Sequence, residues 1–496
     1  MSIHTTTDND FLGPQRSHAR TELAQALHGF LPPDAVLEQE EELRPYECDG
    51  LSAYRQLPLL VVLPRTVEQV QQVMRLCHER AVPVVARGAG TGLSGGALPL
   101  ADGIVLSLAR FNAILELDPI GRIARVQPGV RNLAISEAAA ALGLYYAPDP
   151  SSQIACTIGG NLAENSGGVH CLKYGLTVHN VLSITLVTVD GDLLEIGAET
   201  LDTPGYDLLA LTIGSEGMLG VVVEAKVRLL PAPEQAQVVL AAFDDVEKAG
   251  IAVGDIIAAG IIPAGLEMMD GPAIQAAEDF VHAGYPTDAA AILLCEVDGT
   301  EQEVSEHIAR VRELLLAGGA TEVRSAADNA ERLRFWQGRK SAFPAVGRIS
   351  PDYYCMDGTI PRRALPEVLR RTAELSGEYG LRVANVFHAG DGNMHPLILF
   401  DANKPGELER TEELGGRILE LCVEVGGTIT GEHGVGIEKI NQMCVQFTPE
   451  ELEVFHAVKR AFDPVGLLNP GKGVPTPRRC SEYRQLPDRA HHEHAH

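Results

Sequence analysis

Three glycine-rich segments between residues 87 and 231 constrain the fold more than any other feature of the chain. They read RGAGTGLSGG (87–96), PDPSSQIACTIGGNLAENSGG (148–168) and IGSEGMLGVVVEAKVRLLP (213–231). One such loop is weak evidence, because glycine often serves only to make a tight turn. Three loops that are mixed with Ser, Thr and Asn and separated by strands predict turns that converge on one extended polyanion. This favours a dinucleotide over a mononucleotide.

The first segment contains GTGLSG, which fits the G-x-G-x-x-G pattern of a Rossmann turn. A Rossmann domain requires a helix to begin at that turn, with its N-terminus on the phosphates. The chain instead continues as ALPLADGIVLSLARF, a proline-broken loop followed by another apolar strand. We therefore predict that this is not a Rossmann fold.

The charge balance excludes several classes of partner. Among 496 residues, 40 are basic and 67 acidic, so the net charge is −27. Nucleic acid and anionic membrane surfaces are poor partners for such a chain. The N-terminal residues lack an apolar signal core, and no segment approaches the roughly 18 apolar residues of a membrane span. We expect a cytoplasmic protein without a direct membrane span.

The nine cysteines are scattered and include no C-x-x-C pair. Neither an iron–sulfur cluster nor a cysteine zinc site is therefore encoded. We expect reduced thiols that mostly fill the core, and any iron–sulfur relay would come from a partner.

The length predicts two or more domains. The sequence predicts a helical N-terminal segment over residues 1–54, a first domain over 55–232 and a second domain over 233–475. A disordered polar tail is predicted over 476–496. From residue 235 onward, strands alternate with amphipathic helices. This pattern predicts an α+β domain whose helices cover one face of a largely antiparallel sheet.

Two histidines and a Glu-His pair form a second group of candidate site residues. In VANVFHAGDGNMHPLILF, Asp391-Gly392 is a strong hairpin signal. A turn there pairs positions whose numbers sum to 783, so that His388 faces His395 and both can chelate one metal ion. Glu432, in TGEHGVG, would complete a three-ligand set that leaves a metal open to substrate. Alternatively, the histidines are satisfied core residues and GEHG is only a turn.

Arg339 and Lys340, in FWQGRKSAF, are candidates for binding an anionic substrate, because a guanidinium matches a carboxylate in shape. The alternative is a solvated helix face.

Several of these motifs resemble known families. RGAGTGLSGG, YYAPDPSS, TIGGNLAENSGG and GSEGMLGVV resemble the FAD-binding domain of the vanillyl-alcohol oxidase and p-cresol methylhydroxylase family. FHAGDGNMHP, TGEHGVG and FDPVGLLNPGK are similar to the FAD-linked oxidase C-terminal domain of D-2-hydroxyacid dehydrogenases. The resemblance covers about residues 15–475. It implies an α+β fold, with a two-part FAD-binding domain over 55–232 and a ferredoxin-like C-terminal domain with antiparallel sheet and helices over 233–475.

The resemblance also implies which residues hold the flavin. Backbone N–H groups of residues 87–96 would close on the pyrophosphate, and no histidine in that loop is available to attach the flavin, so we expect non-covalent FAD. The implied cofactor-binding residues are Arg87, Gly88, Ala89, Gly90, Thr91, Gly92, Leu93, Ser94, Gly95, Gly96, Pro148, Asp149, Ser151, Ser152, Thr157, Gly159, Gly160, Asn161, Asn165, Ser166, Gly168, Val169, Glu216, Gly217, Val222 and Asn469.

In the second domain, the resemblance assigns His388, His395 and Glu432 as ligands of a divalent metal, Zn or Mn. His433 would be the base that takes the substrate hydroxyl proton, and Arg339 would grip the substrate carboxylate.

One departure from the family pattern bears on the substrate. Relatives that act on D-2-hydroxyglutarate have a Lys and an Asn where this chain has Cys355 and Leu397. A second substrate carboxylate then lacks partners, which favours a small 2-hydroxy acid.

Within the family, PYECDGLSAY and PDYYCMDGTIPRRALP are most similar to the branch that oxidises glycolate to glyoxylate. Members of that branch work beside a second flavin subunit and an iron–sulfur subunit, which would make the chain peripheral on the inner membrane. The sequence leaves open a D-lactate or other D-2-hydroxyacid dehydrogenase, a metal-dependent hydrolase around His388, His395 and Glu432, and a non-catalytic FAD-binding assembly subunit.

Overall fold

The structure is a computed structural model that describes residues 14–200 and 204–485. Its first part is a four-stranded sheet in the order β1-β2-β4-β3, in which β4 runs parallel to both β2 and β3. The apolar face of α3 packs on this sheet through Val70, Val73, Met74 and Cys77. The elements are α1 (Pro14–His28), β1 (Val36–Leu37), α2 (Glu40–Leu43), β2 (Leu60–Val62), α3 (Val67–Glu79), β3 (Val84–Arg87) and β4 (Ile104–Ser107).

The first glycine-rich loop lies between β3 and β4. Both strands and the loop between them are fully described, and the chain contains no helix between Arg87 and Ile104. The prediction that this is not a Rossmann turn is therefore confirmed.

A five-stranded antiparallel sheet in the order β5-β6-β10-β8-β9 follows, so the first half of the chain is built in two parts. A short strand pair, β7 with β11, lies beside it. The elements are β5 (Ile114–Asp118), β6 (Ile123–Val126), α4 (Asn132–Ala139), β7 (Leu144–Tyr145), α5 (Ile158–Glu164), α6 (Cys171–Tyr174), β8 (Val181–Val187), β9 (Leu193–Gly197), α7 (Leu208–Thr212), β10 (Val221–Arg228) and β11 (Leu230–Pro231).

The second half is built on a seven-stranded sheet in the order β15-β12-β14-β13-β18-β20-β16, and every neighbouring pair is antiparallel. Its strands are β12 (Gln235–Phe243), β13 (Gly265–Asp270), β14 (Ala291–Gly299), β15 (Glu322–Ser325), β16 (Asp352–Cys355), β18 (Arg382–Phe387) and β20 (Pro396–Phe400), and a small pair joins β17 (Gly358–Thr359) to β19 (Asn393–Met394). Its helices are α8 (Val246–Ala258), α9 (Gly271–Val281), α10 (Glu301–Ala317), α11 (Asn329–Lys340), α12 (Ala342–Val346), α13 (Leu365–Tyr379), α14 (Glu407–Glu424), α15 (Met443–Gln446), α16 (Pro449–Phe462) and α17 (Pro477–Arg484).

Helices cover both faces of this sheet, so the expectation of one covered face is wrong. Helices α8, α10 and α13 pack on one face, while α9, α11 and α12 pack on the other. The cause lies in the strands: residues 291–298 of β14 are all buried, rather than alternating between core and solvent. A strand that is apolar on both sides must be covered on both sides.

The end of the chain is more ordered than the sequence indicates. The disordered tail predicted from residue 476 is wrong for residues 477–484, which form α17, while residues 486–496 lie outside the described ranges. Cys480 and Tyr483 of this helix are buried, and Cys480 forms a disulfide with Cys444 of α15. The expectation that all nine cysteines are free thiols is therefore wrong for this pair. The tail sequence is mostly polar and charged, and this composition gave no sign that Cys480 and Tyr483 are buried.

The longest helices are amphipathic. Helix α14 has 18 residues, but its sequence ELERTEELGGRILELCVE is dense in charge. Among the helices in the described ranges, none is both long enough and apolar enough to cross a bilayer.

Candidate flavin and metal site

The three glycine-rich loops converge, as the sequence predicts. The backbone N–H groups of Gly214 and Glu216 donate to the carbonyls of Leu162 and Ala163, each at 2.8 Å, which joins the third loop to the second. Asn469 bridges the first and third loops, because its Nδ2 donates to the carbonyl of Gly96 at 3.0 Å and to that of Glu216 at 2.7 Å.

The segment that carries Glu432 and His433 is docked against the same loops. The Glu216 carboxylate accepts the backbone N–H groups of Val435 and Gly436, both at 2.7 Å. Gly436 has φ +51°, and a Cβ there would lie 2.1 Å from the carbonyl oxygen of Ser94. Only glycine permits this approach. The segment TGEHGVG, which carries Glu432 and His433, is thereby packed closely against the first glycine-rich loop.

The converged loops fit an extended dinucleotide. A Cβ on Gly88 would lie 2.3 Å from Oγ1 of Thr157, so the first loop packs against the second too closely for any side chain at this position. Ser94 is fully buried, and its Oγ finds no hydrogen-bond partner among the described residues. An orphaned hydroxyl beside close-packed glycine backbone is the environment expected for a phosphate-bearing ligand.

Other predicted cofactor-binding residues have protein partners. Nη1 of Arg87 donates to the carbonyl of Cys48 at 2.7 Å and thereby supports the first loop from behind. Asn161 Oδ1 accepts from Asn132 at 3.0 Å, and Asn165 Oδ1 accepts the N–H of Val178 at 2.9 Å. Val222 lies in β10 opposite Leu186.

Asp149 belongs to an ion network between the two halves of the chain. Its Oδ2 lies 2.9 Å from Nδ1 of His170 and 3.5 Å from Nζ of Lys340. Nε2 of His170 lies 3.4 Å from Glu296, which also accepts two 2.8 Å hydrogen bonds from Arg332. Burial alone lowers the pKa of His170, but Asp149 and then Glu296 outweigh it and raise that pKa to about 10. Lys340, a candidate substrate contact, is therefore engaged with Asp149.

The hairpin that carries the two histidines has a different register from the one predicted. Asn385 pairs with Pro396 and His388 with Asn393, so paired positions sum to 781 rather than 783. Residues 389–392 form the loop, two residues longer than a tight turn. A shift of two in the sum moves the histidines from directly opposite to diagonal positions but leaves them on one face. Their ring centroids are 5.1 Å apart.

His388, His395 and Glu432 form the predicted donor set. One carboxylate oxygen, Oε1 of Glu432, lies 3.2 Å from Nε2 of His388 and 3.0 Å from Nε2 of His395. The donor atoms of the three residues all lie within 4.8 Å of one another. Burial raises the pKa of Glu432, but the two histidines outweigh it and hold that pKa well below its usual range. The carboxylate is thus ready to bind a cation, and the set fits a divalent metal.

Glu267 stands behind this set and was missed in the sequence. Its Oε1 lies 2.8 Å from Nδ1 of His388, which orients the imidazole with Nε2 toward Glu432. A carboxylate that orients a histidine in this way is typical of metal sites. The only sequence signal was a Glu within the apolar strand GLEMMD.

Arg339 is fully buried, and its Nη2 forms a 2.7 Å ion pair with Glu267. Its Nε and Nη1 find no hydrogen-bond partner in the described part of the chain. Arg339 thus lies next to the histidine and its carboxylate, with donor capacity left over. Its contact with a substrate carboxylate stays a prediction.

His433 stacks on His395, with ring centroids 4.9 Å apart and an interplanar angle of 11°. Its Nδ1 is buried and has no hydrogen-bond partner among the residues described. Burial is the largest influence on the pKa of His433 and lowers it to about 4. A neutral imidazole with a free ring nitrogen can accept a proton.

Asp357 fixes the backbone around His433 and was also missed in the sequence. This fully buried carboxylate accepts N–H bonds from Gly431 at 3.0 Å, Glu432 at 3.1 Å and His433 at 2.9 Å. Nζ of Lys439, which is itself fully buried, lies 3.3 Å away. These contacts aim the neighbouring side chains of Glu432 and His433 at one point, which a regular strand would not do.

Two family models match most of the chain. The FAD binding domain model matches residues 58–197, and the model for the C-terminal domain of FAD linked oxidases matches residues 232–473. The chain belongs to the FAD-linked oxidases. It is accordingly an FAD-dependent oxidoreductase, and the first two glycine-rich loops lie within the residues that match the FAD binding domain.

Individual relatives of this FAD-linked oxidase are close. Glycolate oxidase subunit GlcD of Escherichia coli (strain K12) is 68% identical over 475 residues, covering 96% of this chain and 95% of that protein. The resemblance to the glycolate oxidase branch is thereby confirmed. The D-lactate dehydrogenase of Anaerostipes hadrus is 32% identical over 89% of this chain and 95% of that protein.

Among solved structures, p-cresol methylhydroxylase with substrate bound matches with a TM-score of 0.78 at 18% identity, covering 93% of this chain and 97% of that one. At this identity, the likeness speaks for the fold alone. It confirms the predicted two-part FAD-binding fold followed by a domain with antiparallel sheet and helices.

Proposed function

We propose that this FAD-linked oxidase oxidises glycolate to glyoxylate. The observation that carries the proposal is the position of His433, a neutral imidazole stacked on His395 beside the metal donor set. The 68% identity to a glycolate oxidase subunit supports the choice of substrate. We assign flavin binding to residues 55–232 and substrate and metal binding to residues 233–475.

FAD is held without a covalent bond in this proposal. The loop at 87–96 offers backbone N–H groups and the Ser94 hydroxyl, but no histidine for covalent attachment. Glu216 and Asn469 hold the three loops together around the cofactor. When bound, FAD supplies the acceptor for the C2 hydrogen and its electron pair.

His388, His395 and Glu432 would hold a divalent metal, Zn or Mn, which would supply a Lewis acid for the substrate hydroxyl. Glu267 keeps His388 in the tautomer that leaves Nε2 free to bind. The residues thus order the site before the substrate arrives.

His433 takes the proton of the substrate hydroxyl, and Arg339 pairs with the substrate carboxylate through its free guanidinium nitrogens. Because burial keeps His433 neutral, it is in the proton-accepting form at neutral pH. The carbonyl of glyoxylate forms as the C2 hydrogen leaves with its electrons.

Substrate size follows from Cys355 and Leu397. They face each other across β16 and β20, and both are buried. Neither offers a charge to a second carboxylate, so a dicarboxylic acid would bury an unpaired charge. D-lactate, named in relatives at 32–34% identity, is the second candidate because it too carries one carboxylate.

The electrons leave through partners in this proposal. The Escherichia coli relative is named as a subunit of glycolate oxidase. A second flavin subunit and an iron–sulfur subunit would supply the relay that this chain lacks in its sequence, and they would make the chain peripheral on the membrane.

The test compares kcat/KM for glycolate, D-lactate and D-2-hydroxyglutarate with an artificial electron acceptor. We expect glycolate first and D-2-hydroxyglutarate last, with a gap of about 10²-fold or more for an unpaired buried charge. A higher value for D-2-hydroxyglutarate than for glycolate would overturn the proposal.

A further inference from the structure

A second set of potential metal ligands overlaps the first. Donor atoms of Cys355, His395 and His433 all lie within 4.8 Å of one another, as do those of His388, His395 and Glu432. His395 belongs to both sets. The two sets therefore share one imidazole.

The fold holds Cys355 at this point. It is the last residue of β16 and is 5% exposed. It pairs with Leu397 of β20, which lies two residues after His395 in the chain. Its Sγ has one weak contact, 3.4 Å from the carbonyl oxygen of Met356. The thiol is thus fixed within reach of two imidazoles rather than engaged in packing alone.

His433, the proposed base, also leaves a ring nitrogen without a partner, within the described part of the chain, in the absence of substrate. Its Nδ1 is buried without a hydrogen-bond partner among the described residues, so a ring nitrogen with a lone pair or a proton is left unsatisfied. Buried polar atoms are rarely left so. A cation held by the His433 imidazole together with Cys355 and His395 needs no movement of the backbone that Asp357 fixes.

The two sets differ in chemistry. The first offers two nitrogens and an oxygen, which suit Mn²⁺ as well as Zn²⁺. The second offers a sulfur and two nitrogens, which suit Zn²⁺, Cd²⁺ or Cu⁺ and disfavour Mn²⁺.

We propose that Cys355, His395 and His433 form a second metal site that binds soft cations and inhibits the enzyme when it is filled. On binding, the S–H bond of Cys355 breaks, its proton passes to solvent and a sulfur–metal bond forms, with no change in oxidation state. The ion occupies His433 and draws His395 away from the first set. Inhibition rests on the proposed function, whereas binding does not.

The experiment titrates the FAD-loaded full-length chain with Cd²⁺ and records two readouts, the ultraviolet charge-transfer absorption of a cadmium–thiolate bond and glycolate turnover. The variants are C355S and, as a control, C77S, whose thiol is equally buried in α3 away from the site. We expect one cadmium–thiolate per chain and inhibition in wild type and C77S. C355S should lose the absorption. It should also need at least about tenfold more Cd²⁺ for half inhibition, because removing even a group that only supports a metal ligand weakens metal binding by about that factor.

Wild-type protein alone provides a second test, should C355S fold poorly. A ¹¹³Cd NMR resonance in the range of sulfur-bound cadmium is expected, and its absence overturns the proposal. Absorption and inhibition that persist unchanged in C355S overturn it as well. If the cadmium–thiolate forms but glycolate never reduces the flavin, the site stands and the proposed function fails.

Discussion

Nδ1 of His388 lies 2.8 Å from Oε1 of Glu267, whose other oxygen pairs with Arg339 at 2.7 Å. This carboxylate connects the metal donor set to the candidate substrate-binding arginine, and all three side chains are buried. The histidine is therefore oriented by a charged partner that is itself held in place.

Replacing Glu267 by Gln is expected to weaken metal binding by about 10- to 100-fold, because the amide orients His388 less well and lowers its basicity. Equilibrium dialysis with metal analysis measures the affinity of the full-length chain for Zn²⁺ and Mn²⁺.

Glu296→Gln is the matched control, since Glu296 is equally buried in the same sheet and pairs with Arg332. Both variants lose a buried carboxylate that pairs with an arginine, so both should melt at a lower temperature. Only Glu267→Gln should bind metal more weakly, and equal metal affinity in the two variants would contradict the role given to Glu267.

The disulfide between Cys444 and Cys480 closes a loop with a sequence separation of 36. Cys480→Ala should lower the free energy of unfolding by about 3–4 kcal/mol under oxidising conditions, since the cross-link restricts the unfolded chain. Urea denaturation measures the change. Adding a reductant should bring the wild type to the stability of the variant and leave the variant unchanged. A wild type that does not respond to the reductant would show that the bond does not stabilise the protein.

The stability should fall above neutral pH because of His170. Its pKa of about 10 in the folded protein exceeds the ordinary value of about 6.5 for an unfolded histidine. Its contribution is therefore complete below about pH 6.5 and is lost as the pH rises towards 10.

Between pH 7 and 9, the wild type should lose about 2–3 kcal/mol more stability than His170→Gln, because the folded protein keeps a proton on His170 that the unfolded chain releases. Urea midpoints at each pH give the comparison, with His78→Gln as a control that removes a histidine paired with Asp190 at the surface. Parallel pH profiles for wild type and His170→Gln would refute the assignment.

Much of the site follows from local sequence. The glycine-rich loops and the Glu-His pair can be recognised in the sequence because few residues other than glycine allow such close backbone contacts. The contact of Gly436 with Ser94 is an example. The two-residue period of a strand predicts that the two histidines lie on one face of the sheet. This prediction holds even though the sum of paired positions differs by two from the predicted one.

The features that were missed depend on distant contacts. Glu267 is 121 residues from His388, and Asp357 is 76 residues from His433, so neither partner is visible from local spacing. The disulfide likewise joins two cysteines that no motif connects. The helices on the second face of the large sheet follow from strands such as β14 that are buried on both sides, but the order of strands and helices along the chain does not show which face each helix covers.

The most direct test of the central claim is an anaerobic absorbance spectrum of the FAD-loaded chain before and after glycolate is added. We predict that glycolate bleaches the flavin absorption of the wild type, and that His433→Ala retains FAD but is bleached about 10²- to 10⁴-fold more slowly. Equal rates of bleaching in the two proteins, or a wild-type flavin that glycolate leaves oxidised in the presence of Zn²⁺ or Mn²⁺, would contradict the account.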